Sequence, residues 1–124
     1  DKMFQMANIV NDKVFHFDIK GCDNELKLIE YTKGGFYGWH TDFNAGTCSI
    51  RKLVGIIQLT DPSEYEGGDV QFGIQDKNTK EWYTMNKLKG SLTLFPAFLC
   101  HNVVPVTKGK RYVIQELFVG DHFV

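Results

Sequence analysis

Two short motifs pair a histidine with an aspartate two positions later, His16 with Asp18 in VFHFDI and His40 with Asp42 in GWHTDF. Side chains at positions i and i+2 of a β-strand point to the same side of a sheet. An imidazole and a carboxylate arranged in this way can bind two adjacent coordination sites of an octahedral metal ion. A third ligand must come from elsewhere in the chain. The remaining histidines are His101 and His122.

The surroundings of the two motifs differ. His40 lies between the glycine-rich segment TKGGFYGW and the segment NAGT, and glycine lets a backbone turn sharply and approach a ligand closely. His16 lies in the alternating segment KVFHFDI, which predicts a strand-face histidine without ligand partners. His122 lies near the end of the sequence, where chains fray. The motif at His40 is therefore the candidate metal site.

His101 and Arg111 form a second candidate pair. His101 follows GSLTLFPAFLC, which predicts a strand that ends at Phe95 and Pro96. The next segment, NVVPVTKGKRYVIQELF, predicts a hairpin with its turn at TKGK. In such a hairpin Arg111 lies on the strand beside the one that follows His101, and both side chains can face one cavity. Lys110 is one place off and should point to the opposite face, so we keep it only as an alternate.

Short strands must position these residues. The N-terminal segment DKMFQMANIVND has apolar residues at helical spacing and predicts a short helix. After it the apolar period falls towards two, and turn segments rich in glycine, lysine and asparagine separate the alternating runs. Seven or eight short strands of this kind predict a β-sandwich or a partly closed barrel. The runs are KVFHFDI, ELKLIEY, KLVGIIQL, DVQFGI, EWYTM, SLTLF and RYVIQELFV.

Composition narrows the function classes. The 124 residues suit one domain, and 43% hydrophobic content with ten Phe supplies a core. A net charge of -1 gives no reason to expect nucleic acid or an anionic membrane as a partner, and no apolar run approaches the ~20 residues of a spanning helix. Three separated cysteines without a C-x-x-C motif favour a reducing, cytoplasmic compartment.

Three segments together resemble the Fe(II)- and 2-oxoglutarate-dependent dioxygenases, and within them the prolyl 4-hydroxylase-like branch. These segments are YTKGGFYGWHTDF, EGGDVQF and GSLTLFPAFLCHNVVPVTKGKRYVI, and the similarity extends over most of the chain. The resemblance implies a mainly β fold, the double-stranded β-helix or jelly roll of cupin-like barrels, with a short N-terminal helical remnant. It implies a single domain over residues 1–124 that lacks the N-terminal bracing helices of the family.

The resemblance also implies roles for individual residues. His40, Asp42 and His101 would hold Fe(II), and Arg111 would bind the distal carboxylate of 2-oxoglutarate. Tyr31, nine residues before His40, would bond the same carboxylate. The implied reaction is the dioxygen-driven oxidative decarboxylation of 2-oxoglutarate to succinate, coupled to hydroxylation of a C–H bond. Ascorbate is a candidate accessory reductant.

Neighbouring residues carry further expectations. Gly67 and Gly68 match the EGG turn of the family, which is a backbone feature. Cys100 should face away from the metal as a small buried hydrophobe. The segments 43–50 and 61–68 should border the substrate mouth. Tyr37 and Trp39 are candidates for lining that mouth, although aromatic residues beside strands are more often core packing. The expected core residues near His101 are Phe95, Phe98 and Leu99.

The expected substrate is a peptidyl proline, with a free amino acid or another small molecule as the alternative. A cupin enzyme without 2-oxoglutarate typically shows H-x-H, which this chain lacks. A zinc hydrolase can use two histidines and an aspartate but leaves Arg111 without a role. A halogenase of this fold needs a small residue in place of Asp42. A non-enzymatic jelly-roll interaction module stays open and predicts no metal uptake.

Overall fold

The computed structural model describes residues 1–46 and 48–123, apart from the side chains at positions 24 and 25. It begins with helix α1, Lys2–Val10, as the apolar spacing predicts. The Asp1 carboxylate accepts a hydrogen bond from the Phe4 amide (2.8 Å) and caps the first turn. Met3 and Ala7, one turn apart, are the buried residues of the helix. This helix therefore lies with one apolar face against the sheet beneath it.

The segment KVFHFDI does not form the predicted strand. A π-helical turn, Asn11–Phe15, continues α1, and His16 ends it in the left-handed conformation (φ 58°). The buried Asn11 side chain donates to the Phe17 carbonyl (2.6 Å) and accepts from the Phe17 amide (2.8 Å). These bonds occupy the Phe17 N–H and C=O groups, which in a strand would bond to a neighbouring strand. The segment therefore runs as a loop. The prediction of a strand-face His16 is therefore wrong, and this side chain is exposed.

Ten β-strands are found among the described residues, against the seven or eight expected. The additional ones are only three or four residues long, too short to show a clear alternation. The strands are β1 Gly21–Tyr31, β2 Tyr37–His40, β3 Arg51–Gln58, β4 Tyr65–Gly67, β5 Val70–Gln75, β6 Trp82–Thr84, β7 Leu92–Pro96, β8 His101–Val103, β9 Val106–Gly109 and β10 Arg111–Val119. A 3-10 turn, Pro62–Glu64, precedes β4.

Two four-stranded antiparallel sheets form a barrel. We call β1-β10-β3-β7 the major sheet and β2-β8-β5-β6 the minor sheet, and β4 and β9 form a separate ribbon. Neighbouring strands are mostly distant in sequence, so the chain crosses repeatedly between the sheets. This is the double-stranded β-helix, or jelly roll, and it confirms the predicted mainly β fold with a short N-terminal helix.

The predicted hairpin at TKGK is wrong. β9 pairs with β4, and β10 pairs with β1 on one edge and β3 on the other. Because both edges of β10 are occupied, β9 cannot pair with it. The turn residues do bend the chain, and Gly109 adopts a positive φ of 71°, but the bend leads from the ribbon to the major sheet.

Two apolar clusters hold these layers together. The barrel interior contains, among others, Val54, Phe95 and Val113. The second cluster joins α1 to the outer face of the major sheet, where Phe118 is fully buried. Phe95 is a core residue as expected. Phe98 is not, because 51% of it is exposed beside other aromatic rings at the surface. No helix among residues 1–46 and 48–123 is long and apolar enough to cross a membrane.

The EGG turn has a backbone conformation and a close contact at Gly67 that only glycine tolerates without strain. Gly67 has φ 77°, and a Cβ atom there would collide with the Pro105 carbonyl. We expect Gly67→Ala to lower the free energy of unfolding by about 2 kcal/mol or more, since the left-handed strain and the collision add. Gly21→Ala, where a Cβ atom meets nothing within 4 Å, should stay within about 0.5 kcal/mol of wild type. Urea unfolding measures both, and equal stability of the two variants would contradict this account of the turn.

Candidate metal centre

His40 and His101 face each other across two strands of the minor sheet. They are direct Cα partners in the antiparallel ladder of β2 and β8. Directly opposed residues project to the same face, and here the two imidazole centroids are 4.2 Å apart. A register shift lies between Tyr37 and His40, so these two side chains also reach the same side. The barrel interior therefore receives two imidazoles from adjacent strands.

Asp42 completes the group from outside the strand. β2 ends at His40, so the expectation that the motif lies on one strand is wrong for Asp42. Its amide donates instead to the Ala97 carbonyl (2.9 Å). Its carboxylate Oδ2 lies 3.3 Å from His101 Nε2, and Oδ1 lies 3.9 Å from His40 Nε2. The structure thus brings together the three residues that the sequence singled out, by a different backbone route.

Hydrogen bonds orient both imidazoles in the same way. His40 Nδ1 lies 2.6 Å from the Gly38 carbonyl, and His101 Nδ1 lies 2.9 Å from the Leu99 carbonyl. A carbonyl oxygen only accepts, so each Nδ1 carries the proton and each Nε2 keeps a free lone pair. Backbone partners of this kind are typical of metal-binding histidines. Burial also lowers the pKa of His101, which favours the neutral ligand form.

The donor set fits a divalent cation. Asp42 Oδ2 is buried and takes part in no hydrogen bond among the described residues. Burying a carboxylate oxygen without a donor is unfavourable, and a cation at this point would remove the penalty. Ligand atoms at right angles around an ion with bonds of about 2.1 Å lie about 3 Å apart. The 3.3 Å between Asp42 Oδ2 and His101 Nε2 is close to this value, and the 3.9 Å between Oδ1 and His40 Nε2 is wider. Two imidazole nitrogens and one carboxylate are the facial set used by non-haem iron.

The other histidines lie elsewhere. His16 is exposed in the loop after α1. His122 Nδ1 lies 2.8 Å from the Ser49 hydroxyl. The group of possible ligands formed by His40, Asp42 and His101 includes neither of them.

A cavity of about 220 Å³ opens beside the three residues. It lies below the range of about 300–1,000 Å³ typical for drug-sized ligands, so it suits a small molecule. The described residues of segments 43–50 and 61–68 do not line it, contrary to expectation, because both sheets supply its walls. The lining residues are Ile29, Tyr31, Tyr37, His40, Asp42, Ile56, Val70, His101, Val103 and Gln115.

Aromatic residues before His40 lie at the surface. Tyr37 is 55% exposed, lines the cavity, and stacks on His40 with 3.8 Å between ring centroids. Trp39 is 44% exposed and contacts Trp82, 4.9 Å away between centroids. The core-packing interpretation is therefore wrong for both residues. Tyr37 lines the cavity, in agreement with its predicted position at the mouth. Cys100 is half-buried, a free thiol outside the cavity wall.

Arg111 lies behind the cavity wall on the major sheet. It is the Cα partner of Tyr31 in the β1–β10 ladder, and its Cζ is 5.4 Å from the Tyr31 ring centroid. Only 2% of Arg111 is exposed, and no carboxylate among the described side chains forms an ion pair with it. Burial lowers the pKa of Arg111 but leaves a cation at neutral pH, and burial raises the pKa of Tyr31, which stays a neutral donor. Lys110 is exposed on the other side.

Sequence reasoning missed the residues that hold Arg111. Its Nε donates to Gln58 Oε1 (3.2 Å). Gln58 Nε2 in turn donates to the Tyr65 hydroxyl (2.9 Å) and to the Thr60 carbonyl (3.0 Å). Gln58 is fully buried at an inward position at the end of the apolar run LVGII, and that amide was the available signal. The Arg111 guanidinium is thus oriented by neutral side chains, and Asp69 attracts its charge without forming an ion pair with it.

Comparisons with known proteins agree with this geometry. A family model described as the 2OG-Fe(II) oxygenase superfamily matches residues 26–118. A curated PKHD-type hydroxylase from Stutzerimonas stutzeri is 34% identical, over 73% of this chain and 43% of that protein. Another from Synechococcus sp. strain JA-3-3Ab is 31% identical, over 89% of this chain and 45% of that protein. The chain thus spans less than half the length of these relatives.

The solved structures agree in fold. A crystal structure of a Pseudomonas putida prolyl-4-hydroxylase superposes with a TM-score of 0.75 at 20% identity, covering 96% of this chain and 63% of that chain. At this identity the likeness shows the fold alone. The match of the family model over most of the chain carries the assignment, together with the identity to the curated relatives. The chain belongs to the 2OG-Fe(II) oxygenase superfamily.

Proposed function

We propose that this chain is the catalytic domain of an Fe(II)- and 2-oxoglutarate-dependent hydroxylase that acts on peptidyl proline. The observation that carries the proposal is the Asp42 carboxylate. Its buried Oδ2 has no hydrogen-bond donor among the described residues and lies 3.3 Å from His101 Nε2, and its Oδ1 lies 3.9 Å from His40 Nε2. Family membership supports the same chemistry.

His40, Asp42 and His101 would hold the iron. When bound there, iron and 2-oxoglutarate supply the dioxygen-dependent oxidation that yields succinate, carbon dioxide and a hydroxylated substrate. The chain's own part is to present two neutral Nε2 lone pairs and one carboxylate from a single side. The apolar walls formed by Ile56 and Val70 exclude bulk water from the small cavity beside them.

Arg111 and Tyr31 would bind the distal carboxylate of 2-oxoglutarate. Tyr31 lines the cavity, and Arg111 lies directly behind it with no carboxylate partner among the described residues. A buried guanidinium without a counter-ion favours a dicarboxylate that enters the cavity. The planar guanidinium pairs with a carboxylate through two parallel hydrogen bonds, which also fixes the orientation of the ligand. Gln58 holds Nε and Tyr65 also hydrogen-bonds to the guanidinium, so the remaining N–H groups of the fork would serve the anion.

The cavity mouth supports a peptide substrate. Tyr37 stands exposed beside His40, and a flat aromatic ring is a suitable surface for the pyrrolidine ring of proline in an extended peptide. The small cavity behind it would be taken up by the cosubstrate, so an extended substrate would lie across the mouth. The names of the relatives, PKHD-type hydroxylases, support hydroxylation as the reaction class.

The two H-x-D motifs provide a matched test of the metal centre. We expect His40→Ala to weaken Fe(II) binding more than about 100-fold, because it removes a direct ligand. His16→Ala, in the exposed copy of the motif, should bind Fe(II) like wild type. The visible charge-transfer band formed by anaerobic Fe(II) and 2-oxoglutarate measures binding. A band that survives in His40→Ala, or no band in the unaltered protein, would contradict the proposed centre.

Neighbouring basic residues test the cosubstrate site. Arg111→Met should keep Fe(II) binding but raise the KM for 2-oxoglutarate about 100-fold, since a partly desolvated ion pair of about 3 kcal/mol is lost. Lys110→Met removes the same charge one residue away on the exposed side and should change the KM less than about twofold. Succinate production against cosubstrate concentration measures both. An unchanged KM in Arg111→Met would remove Arg111 from the site.

Substrate choice is tested separately. Proline-containing peptides should raise succinate production above the substrate-free level and gain the mass of one oxygen atom. The same peptides with alanine in place of proline should do neither. If only free amino acids react, the substrate is a small molecule and not peptidyl proline. The proposed metal chemistry would still hold.

A further inference from the structure

Arg51 links the candidate metal centre to the edge of the major sheet. It is the first residue of β3, and its side chain is 18% exposed. Its Nε donates to Asp23 Oδ2 (2.8 Å), and its Nη1 donates to the Asp42 carbonyl (3.3 Å). One planar guanidinium therefore contacts both β1 and the backbone of a candidate metal ligand.

Asp42 needs such support because nothing else among the described residues fixes its carboxylate. It lies beyond the end of β2, and no described residue donates a hydrogen bond to its Oδ2. Its backbone is tied at two points, the amide to the Ala97 carbonyl and the carbonyl to Arg51. These two bonds fix the peptide planes on either side of the Asp42 Cα atom. The direction of its Cβ, and so of the carboxylate, follows from them.

Asp23 anchors the guanidinium that makes the second of these bonds. It lies where the β1–β10 ladder becomes irregular, between Asp23 and Lys27. The Asp23 side chain is 23% exposed, and its short bond to Nε fixes the plane of the guanidinium. The charges of Arg51 and Asp23 cancel at short range, so the pair supplies geometry with little net field at the metal position.

We propose that Arg51 is a positioning residue for the metal centre: anchored by Asp23, it holds the Asp42 carbonyl and thereby directs the metal-binding carboxylate. This inference rests on the proposed metal-binding role of Asp42. It assigns Arg51 no contact with substrate, cosubstrate or iron.

Two substitutions separate geometry from charge. Arg51→Lys keeps the positive charge but loses the fork that reaches Asp23 and Asp42 together, and should weaken Mn(II) binding about tenfold. Arg51→Met removes the charge as well. Electrostatics alone would predict tighter Mn(II) binding in Arg51→Met, because the loss of a nearby positive charge removes a repulsion on the cation. The positioning role predicts weaker binding in both variants.

Lys20→Met is the matched control. It removes an exposed ion pair to Asp121 (2.6 Å) that touches no residue of the candidate centre, so Mn(II) affinity should not change. Isothermal titration with Mn(II), a redox-stable ion, gives the affinities, and thermal unfolding of the metal-free proteins gives their stability. A merely structural role for Arg51 would lower the unfolding temperature and leave the affinity unchanged.

The results separate the two proposals. Weaker Mn(II) binding by Arg51→Lys and Arg51→Met, with Lys20→Met like wild type, supports the positioning role. Wild-type affinity in Arg51→Lys, or tighter binding in Arg51→Met, would overturn it and leave the metal centre standing. Failure of the unaltered protein to bind Mn(II) would overturn the metal centre itself, and the role of Arg51 with it.

Discussion

His40 and His101 are Cα partners in the β2–β8 ladder, and a slip of one residue would turn one imidazole away from the barrel interior. Two features hold this register. β8 pairs on its other edge with β5, where Phe72 opposes His101. The inner side chains Val70 and Val103 belong to the apolar cluster that joins the two sheets. The position of the candidate metal centre is therefore a consequence of core packing.

The two sheets divide the chemistry of the cavity between them. The minor sheet contributes the imidazole pair, and the major sheet contributes the cross-strand pair of Tyr31 and Arg111. The apolar walls between these groups keep the local dielectric low and strengthen every charge interaction across the cavity. An anion in this cavity would lie near the buried Arg111 guanidinium, and under the proposed function its other end would reach the metal held by His40, Asp42 and His101.

Local chemistry was readable from the sequence, but strand pairing was not. The short helix and the mainly β fold were predicted from local periodicity, and the convergence of His40, Asp42 and His101 was implied by the family resemblance of the quoted motifs. The hairpin at TKGK was predicted wrongly, because a turn does not reveal that both edges of β10 are already paired. Asp42 reaches its place through a carbonyl of the β7–β8 turn, a contact that no spacing rule contains. The buried amide of Gln58 could have been noticed, but its partners lie across the fold.

The two H-x-D motifs show what decides between identical residue patterns. Asp18 has partners for its carboxylate, the Asp121 amide (3.3 Å) and the Lys20 ammonium (3.9 Å). In the part of the chain that the structure describes, Asp42 Oδ2 has no hydrogen-bond partner. An exposed, satisfied carboxylate gains little from a metal ion, whereas a buried one without a donor gains a great deal. The glycine-rich surroundings already favoured the motif at His40, and the fold supplies the physical reason, since the amide that satisfies Asp18 comes from the far end of the sequence.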